Sequence, residues 1–177
     1  MNDTVDRPGT IDAILLNDCW GEDWIRSEGV IGALEFYGRI IDFFEGHKIL
    51  QDKSVGYKSL MFSNTKHHSW GLHHWFKDRY NIVEVSEPEH LRGYLRKGDN
   101  LLVTGASWKV CLHESQFSFS ELQKVNMTVW SHPNLVNVTG FKEPIPPRVT
   151  DIDFKKDGWE KMENKWPYFG LWRLPNA

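Results

Sequence analysis

Short apolar runs recur along the first 140 residues, each bounded by polar or turn-forming residues. Five of them predict strands, at residues 11–16, 57–63, 81–85, 101–103 and 127–130. The run at residues 101–103 is typical of a strand that is buried on both faces of a sheet. A sixth run, at residues 135–138, predicts an edge strand.

Helical periodicity occupies the segments between these runs. Residues 27–46 carry apolar side chains three and four positions apart, which predicts a helix that ends near Gly46. The apolar positions are Ile31, Leu34, Ile40, Ile41, Phe43 and Phe44. Pro88 predicts the start of another helix, and two more are expected after Gly105 and at residues 118–125. This alternation predicts an α/β fold with three layers, α/β/α, around a mainly parallel central sheet.

The chain divides into three parts by composition. Residues 1–10 predict a flexible arm, residues 11–140 the α/β domain, and residues 141–177 a C-terminal extension rich in proline and tryptophan. Three prolines at 144, 146 and 147 disfavour a helix or a central strand there. We expect an irregular tail that crosses its own domain or a neighbouring subunit, because its many aromatic side chains need cover. The predicted assembly is a homo-oligomer formed through this extension.

Charge and hydropathy disfavour several classes of function. The net charge of −3 gives no general attraction to nucleic acid. No apolar run approaches the roughly 18 residues that a membrane span needs. The N-terminus lacks the regions of a signal peptide, and the two cysteines are far apart in the chain. A cytoplasmic location with reduced thiols is therefore expected.

Residues 99–115 hold the clearest candidate chemistry. The apolar strand is followed by Gly105, which permits a sharp turn, and Ser107 is suited to begin a helix. Cys111 would then lie in the first turns of that helix, where unpaired N–H groups favour a thiolate. Asp18 follows the first predicted strand, so both groups are expected at one edge of the sheet, provided that the first and fourth strands lie side by side. Alternatively, Cys111 is a small buried hydrophobe and Asp18 only ends its strand.

Four of the eight histidines fall within residues 64–76, as the pairs His67-His68 and His73-His74. Imidazole binds zinc, but tetrahedral sites usually combine closer ligand spacing with a cysteine or carboxylate. The pattern therefore favours a loop that lines a cleft or packs against a partner, with Trp20, His67 and Trp70 as lining residues. No metal or other cofactor is expected, and a small-molecule ligand is the partner that such a cleft would take.

Two segments resemble the isochorismatase-like cysteine hydrolases, the family that includes the nicotinamidases. Residues 102–115 resemble the family's strand, glycine, turn and cysteine-bearing helix, and residues 13–20 resemble its first strand with a terminal Asp. The resemblance implies that Cys111 is the nucleophile and Asp18 the general base. It also implies an oxyanion hole of backbone N–H groups around Cys111. The oxyanion and cleft residues would be Ser107, Trp108 and Val110.

The sequence departs from the family where a catalytic lysine is expected. Residues 81–90 contain neither Lys nor Arg and instead carry Glu84, Glu87 and Glu89, whose negative charge opposes a thiolate. In addition, Thr65 stands where the nicotinamidases have the Asp of a metal-binding Asp-x-His motif.

Two functions from different classes follow. The missing lysine and the aromatic tail favour a divergent isochorismatase-fold protein with lost or altered catalysis, a binding or assembly component such as a phage or viral accessory or structural protein. The retained Asp18 and Cys111 favour the alternative, a cysteine hydrolase acting on a small amide or related substrate. Nucleic-acid binding through lysines and aromatic residues of the tail is the least favoured function.

Overall fold

A computed structural model describes seven segments of the chain, residues 11–17, 30–47, 60–63, 82–105, 107–138, 148–162 and 170–176. Several predicted features lie outside these segments. They are the arm at residues 1–10, Asp18, Trp20, His67, His68, Trp70, His73, His74 and the proline-rich residues 141–147.

Seven strands form one mixed sheet in the order β3-β2-β1-β4-β5-β7-β6. The strands are β1 (Ala13–Asn17), β2 (Leu60–Ser63), β3 (Ile82–Glu84), β4 (Asn100–Gly105), β5 (Thr128–Ser131), β6 (Glu160–Met162) and β7 (Leu171–Arg173). The first five strands are parallel to one another, whereas β7 is antiparallel to both β5 and β6. The predicted α/β class is confirmed.

The central strands are buried because their sequences are apolar on both faces. All five residues of β1 are buried, as are residues 101–105 of β4. These two strands pair directly, with Ala13 opposite Leu101 and Asn17 opposite Gly105. The expected adjacency of the first and fourth strands is thereby confirmed, and the strand order reverses between them.

Helix α1 (Val30–His47) lies between β1 and β2 in the chain. Its buried stripe runs through Ala33, Phe36, Tyr37, Ile40, Phe43 and Phe44. Two of the predicted apolar positions are not in this stripe, since Ile31 is 67% exposed and Leu34 is 56% exposed. The spacing of apolar residues located the helix but placed the beginning of its buried face incorrectly.

The remaining helical segments before residue 140 are short. A 3₁₀ helix covers Pro88–Gly93, a π-helical turn covers Val110–Glu114, helix α2 covers Phe119–Lys124, and a 3₁₀ turn covers Pro133–Leu135.

The predicted edge strand at residues 135–138 is wrong. Pro133 has no N–H to donate, and the chain forms a turn there before it returns to the sheet. Only isolated bridges follow, from Val136 to Gly105 and from Asn137 to Arg148.

The prediction of an irregular C-terminal tail is also wrong for the described residues of that segment. Helix α3 (Asp151–Lys156) begins where the Asp153 carboxylate accepts the Thr150 N–H at 2.8 Å. Strands β6 and β7 then extend the sheet beyond β5. In the described part of this segment three aromatic side chains are covered, since Phe154, Trp159 and Trp172 are all buried in the same core as β1 and β4.

Candidate functional site

The parallel strands end in small polar residues that are fully buried. Asn17, Ser63, Thr104 and Ser131 all have zero exposure, at or next to the carboxyl ends of β1, β2, β4 and β5. The hydroxyl of Ser131 donates to the Val103 carbonyl at 2.8 Å, and that of Thr104 donates to the Leu15 carbonyl at 3.4 Å. This edge of the sheet, where α/β proteins bind ligands, is therefore the polar end of an otherwise apolar core.

Asn17 connects the end of β1 to the turn that follows β4. Its side-chain amide donates to the carbonyl of Cys111 at 3.2 Å and to that of Phe117 at 3.1 Å. The backbone of Cys111 and the end of β1 are thus in contact. Asp18 comes directly after Asn17 in the sequence but lies outside the described residues.

Cys111 lies in a π-helical turn rather than in the first turns of the predicted α-helix. The N–H groups of Cys111 and Leu112 both donate to the Ser107 carbonyl, at 3.0 and 3.2 Å. The thiol-bearing residue is 6% exposed. A five-residue turn does not carry the macrodipole of a longer helix, so a helix dipole does not favour the thiolate form of Cys111 here.

Gly105 explains why the turn can pack so closely on the strand. A Cβ atom at this position would lie 2.7 Å from Cδ2 of Leu112, which is fully buried. Only a residue without a side chain permits this contact, so Gly105 serves the packing of the turn against β4.

The backbone N–H groups of the expected oxyanion hole are used inside the fold. The Trp108 N–H donates to the Asn137 carbonyl at 2.8 Å, and the Cys111 N–H is bonded to Ser107. In this arrangement the Trp108 and Cys111 N–H groups are already bonded to carbonyls of the chain, and the oxyanion hole expected around Val110 and Cys111 stays a prediction. Ser107 and Trp108 are both partly exposed at this edge.

Trp108 is also covered by the C-terminal residues. Its ring lies 4.7 Å from that of Phe154 and 6.3 Å from that of Trp159, measured between centroids. Its indole N–H donates to the Asp157 carboxylate at 3.2 Å, and that carboxylate also lies 3.4 Å from Nε2 of His113. The turn that carries Cys111 is thus held against residues 154–159 by ring packing and by polar contacts with Asp157.

The acidic residues that stand where the family has its lysine lie at the far edge of the sheet from the cysteine turn. Glu84 ends β3, which is separated from β4 by β2 and β1. Glu84, Glu87 and Glu89 are exposed. Solvent screening therefore weakens the expected effect of their charge on Cys111. The lysine nearest in sequence, Lys109, is exposed on the turn itself.

The sequence analysis missed Arg39, a buried cation beside this edge. The side chain of Arg39 is 8% exposed, and its Nη2 donates to Oδ1 of Asn137, whose backbone is bonded to Gly105 and Trp108. Glu35, one helical turn earlier, lies 3.7 Å from Nε. Burial lowers the pKa of Arg39 from its ordinary value, Glu35 opposes that shift, and Arg148 adds to it. The Glu35–Arg39 spacing is visible in the sequence, but nothing there indicates that the pair is buried.

Comparison of the chain with protein-family models, with curated proteins and with solved structures found no match. Among the described residues there is no group of three or more metal-ligating side chains. No helix in the described segments has both the length and the hydropathy for a membrane span.

Proposed function

We propose that this protein is a ligand-binding or assembly component built on an isochorismatase-like fold, in which Cys111 has lost its catalytic role. The strand order supports the fold, because it reverses between β1 and β4. Crossovers between parallel strands are right-handed, so a connection that leads one way from β1 and a connection that leads the other way to β4 lie on opposite faces of the sheet. Helices on both faces would give the three layers of the proposed fold.

The observation that carries the proposal is the packing of the turn at residues 107–114. The Cys111 side chain is buried, two amide N–H groups are used within the chain, and Trp108 is fastened to Asp157. A nucleophile must be reached by its substrate, and an oxyanion needs donors that point at it. The low exposure of Cys111 and the internal hydrogen bonds of the Trp108 and Cys111 N–H groups therefore support the proposed loss of catalysis.

A ligand would bind at the carboxyl edge of the parallel strands, near Asn17, Ser107 and Asn137. The point where strand order reverses is the usual ligand position in open α/β sheets. An assembly role would have to use surfaces other than the buried sides of α3 and β7, because those sides pack on their own sheet. A cytoplasmic location remains part of this proposal.

Alkylation of Cys111 tests the loss of catalysis. The protein is treated with iodoacetamide near neutral pH, folded and in urea, and labelling is followed by peptide mass spectrometry, which separates Cys111 from Cys19. We expect slow labelling of Cys111 in the folded protein and fast labelling in urea, because the side chain is buried.

The cysteine hydrolase is the second candidate, and one observation favours it. The side chain of Asn17 contacts the Cys111 carbonyl, so the described end of β1 and the cysteine turn meet at the same edge of the sheet. Labelling of Cys111 that is at least as fast in the folded protein as in urea would support this hydrolase and contradict the proposed loss of catalysis.

A further inference from the structure

Two guanidinium groups share one carboxylate beside the carboxyl edge of β4. Glu35 Oε1 lies 2.9 Å from a terminal nitrogen of Arg148 and 3.7 Å from Nε of Arg39. Arg39 belongs to α1, and Arg148 is bridged to Asn137, so the two positive charges come from different parts of the chain. The two guanidinium groups and the single Glu35 carboxylate together carry a net positive charge.

The hydrogen bonding of Arg39 is incomplete. Within the described segments, Nε and Nη1 are buried without a hydrogen-bond partner, whereas Nη2 has the Asn137 side chain as its acceptor. The guanidinium also lies over the ring of Phe36, 5.4 Å from its centroid, which accounts for part of its stabilisation. A buried charged donor without an acceptor is costly, and native structures usually pair such a group with a solvent molecule or an ion.

We propose that Arg39, assisted by Arg148, binds a small oxyanion, the carboxylate or phosphate group of a ligand. Arginine is suited to such groups because its donors form charge-assisted hydrogen bonds with their oxygens. Asn137 accepts from Arg39 through its side chain and is bonded to Gly105 and Trp108 through its backbone, so the oxyanion would lie beside the turn that carries Cys111. The inference rests on the proposed function and specifies the class of ligand, an anion.

Calorimetric titration with inorganic phosphate and, separately, with acetate tests this site at constant ionic strength. We expect at least one of them to bind wild-type protein, and R39M to lose affinity by at least about tenfold, the effect of removing charge-assisted hydrogen bonds. E35Q should bind the anion more tightly, because it removes the competing carboxylate. The titration also distinguishes a phosphate ligand from a carboxylate ligand.

R92Q is the matched control, since Arg92 is exposed, is paired with Glu89 and follows the far edge strand β3. Its affinity should stay within about twofold of wild type because exposed charges are screened. If R39M does not fold, R148Q, at a half-exposed position, should still weaken binding, and E35Q should still strengthen it.

Two results overturn the inference: wild-type protein that binds neither anion, or binding that R39M, or R148Q in its place, leaves unchanged. Slow labelling of Cys111 alongside either result would leave the proposed function standing without its anionic ligand. Fast labelling of Cys111 in the folded protein would instead contradict the proposed function, whatever the titration gives.

Discussion

Asn17 is a buried amide at the end of an apolar strand, and its position has a specific physical reason. Burying an amide is costly unless its donors are satisfied. Asn17 meets this need by donating to the carbonyls of Cys111 and Phe117, which lie almost one hundred residues later in the chain. One side chain thereby fixes the start and the end of the cysteine turn against β1.

Replacing Asn17 with alanine should lower the free energy of unfolding by about 1–3 kcal/mol, because it leaves buried carbonyls without donors. The Phe117 carbonyl is more affected than that of Cys111, which also accepts the Ser115 hydroxyl. Urea denaturation monitored by tryptophan fluorescence measures the change. Q116A, at an exposed position between the cysteine turn and α2, should change stability by less than about 0.5 kcal/mol. Equal stability of N17A and Q116A would refute this account of Asn17.

Arg39 and Gly105 mark the limits of sequence interpretation at the residue scale. A glycine after an apolar strand indicated a sharp turn, but its contact with Leu112 depends on a turn geometry that periodicity does not encode. The burial of Arg39 depends on Asn137, a partner 98 residues away. Neither contact leaves a recognisable pattern in the sequence.

At the scale of elements, helix α3 provides the cover for the cysteine turn. Phe154 is fully buried and lies in contact with the rings of Trp108, Trp159 and Trp172. Ile152, on the same helix, is 77% exposed. The helix therefore has one face in the core and one face in solvent, although it spans less than two turns.

Removing the Phe154 ring should reduce the free energy of unfolding by about 3–5 kcal/mol, the usual cost of a large buried side chain. I152A is the matched control on the exposed face and should change it by less than about 0.5 kcal/mol. Thermal or urea denaturation of the two variants measures the difference. If F154A and I152A are equally stable, α3 does not pack on the core as described.

The parallel strands were predictable because each is a short apolar run, which is clearest for the buried strands β1 and β4. The segments at Pro88–Gly93 and Val110–Glu114 were predicted only as helices, since apolar spacing does not distinguish a 3₁₀ or π-helical turn from an α-helix. The 3₁₀ turn at Pro133–Leu135 was not predicted. Strands β6 and β7 were missed because each has only three residues and includes a charged side chain, so that both resemble a loop. Their position depends on pairing with the edge of β5, which is a tertiary effect.

At the scale of the whole molecule, the sheet brings two sets of contacts to the cysteine turn. β1 and β4 bring the end of the first strand to the cysteine turn, and the C-terminal strands and helix cover that turn from another direction. The resemblance to the cysteine hydrolases anticipated the first of these features. The second bears on whether Cys111 can reach a substrate, and it lies in the segment for which the sequence predicted an irregular tail.

Hydrogen exchange of the Trp108 and Cys111 amides is the most direct test of whether this turn is a packed part of the fold. NMR on the full chain would follow both amides. Because they are bonded to Asn137 and Ser107, they should exchange at least about a hundredfold more slowly than amides of an unstructured peptide. Exchange of either amide at the unstructured rate would mean that the turn is open, and the account of a covered, non-catalytic cysteine would be wrong.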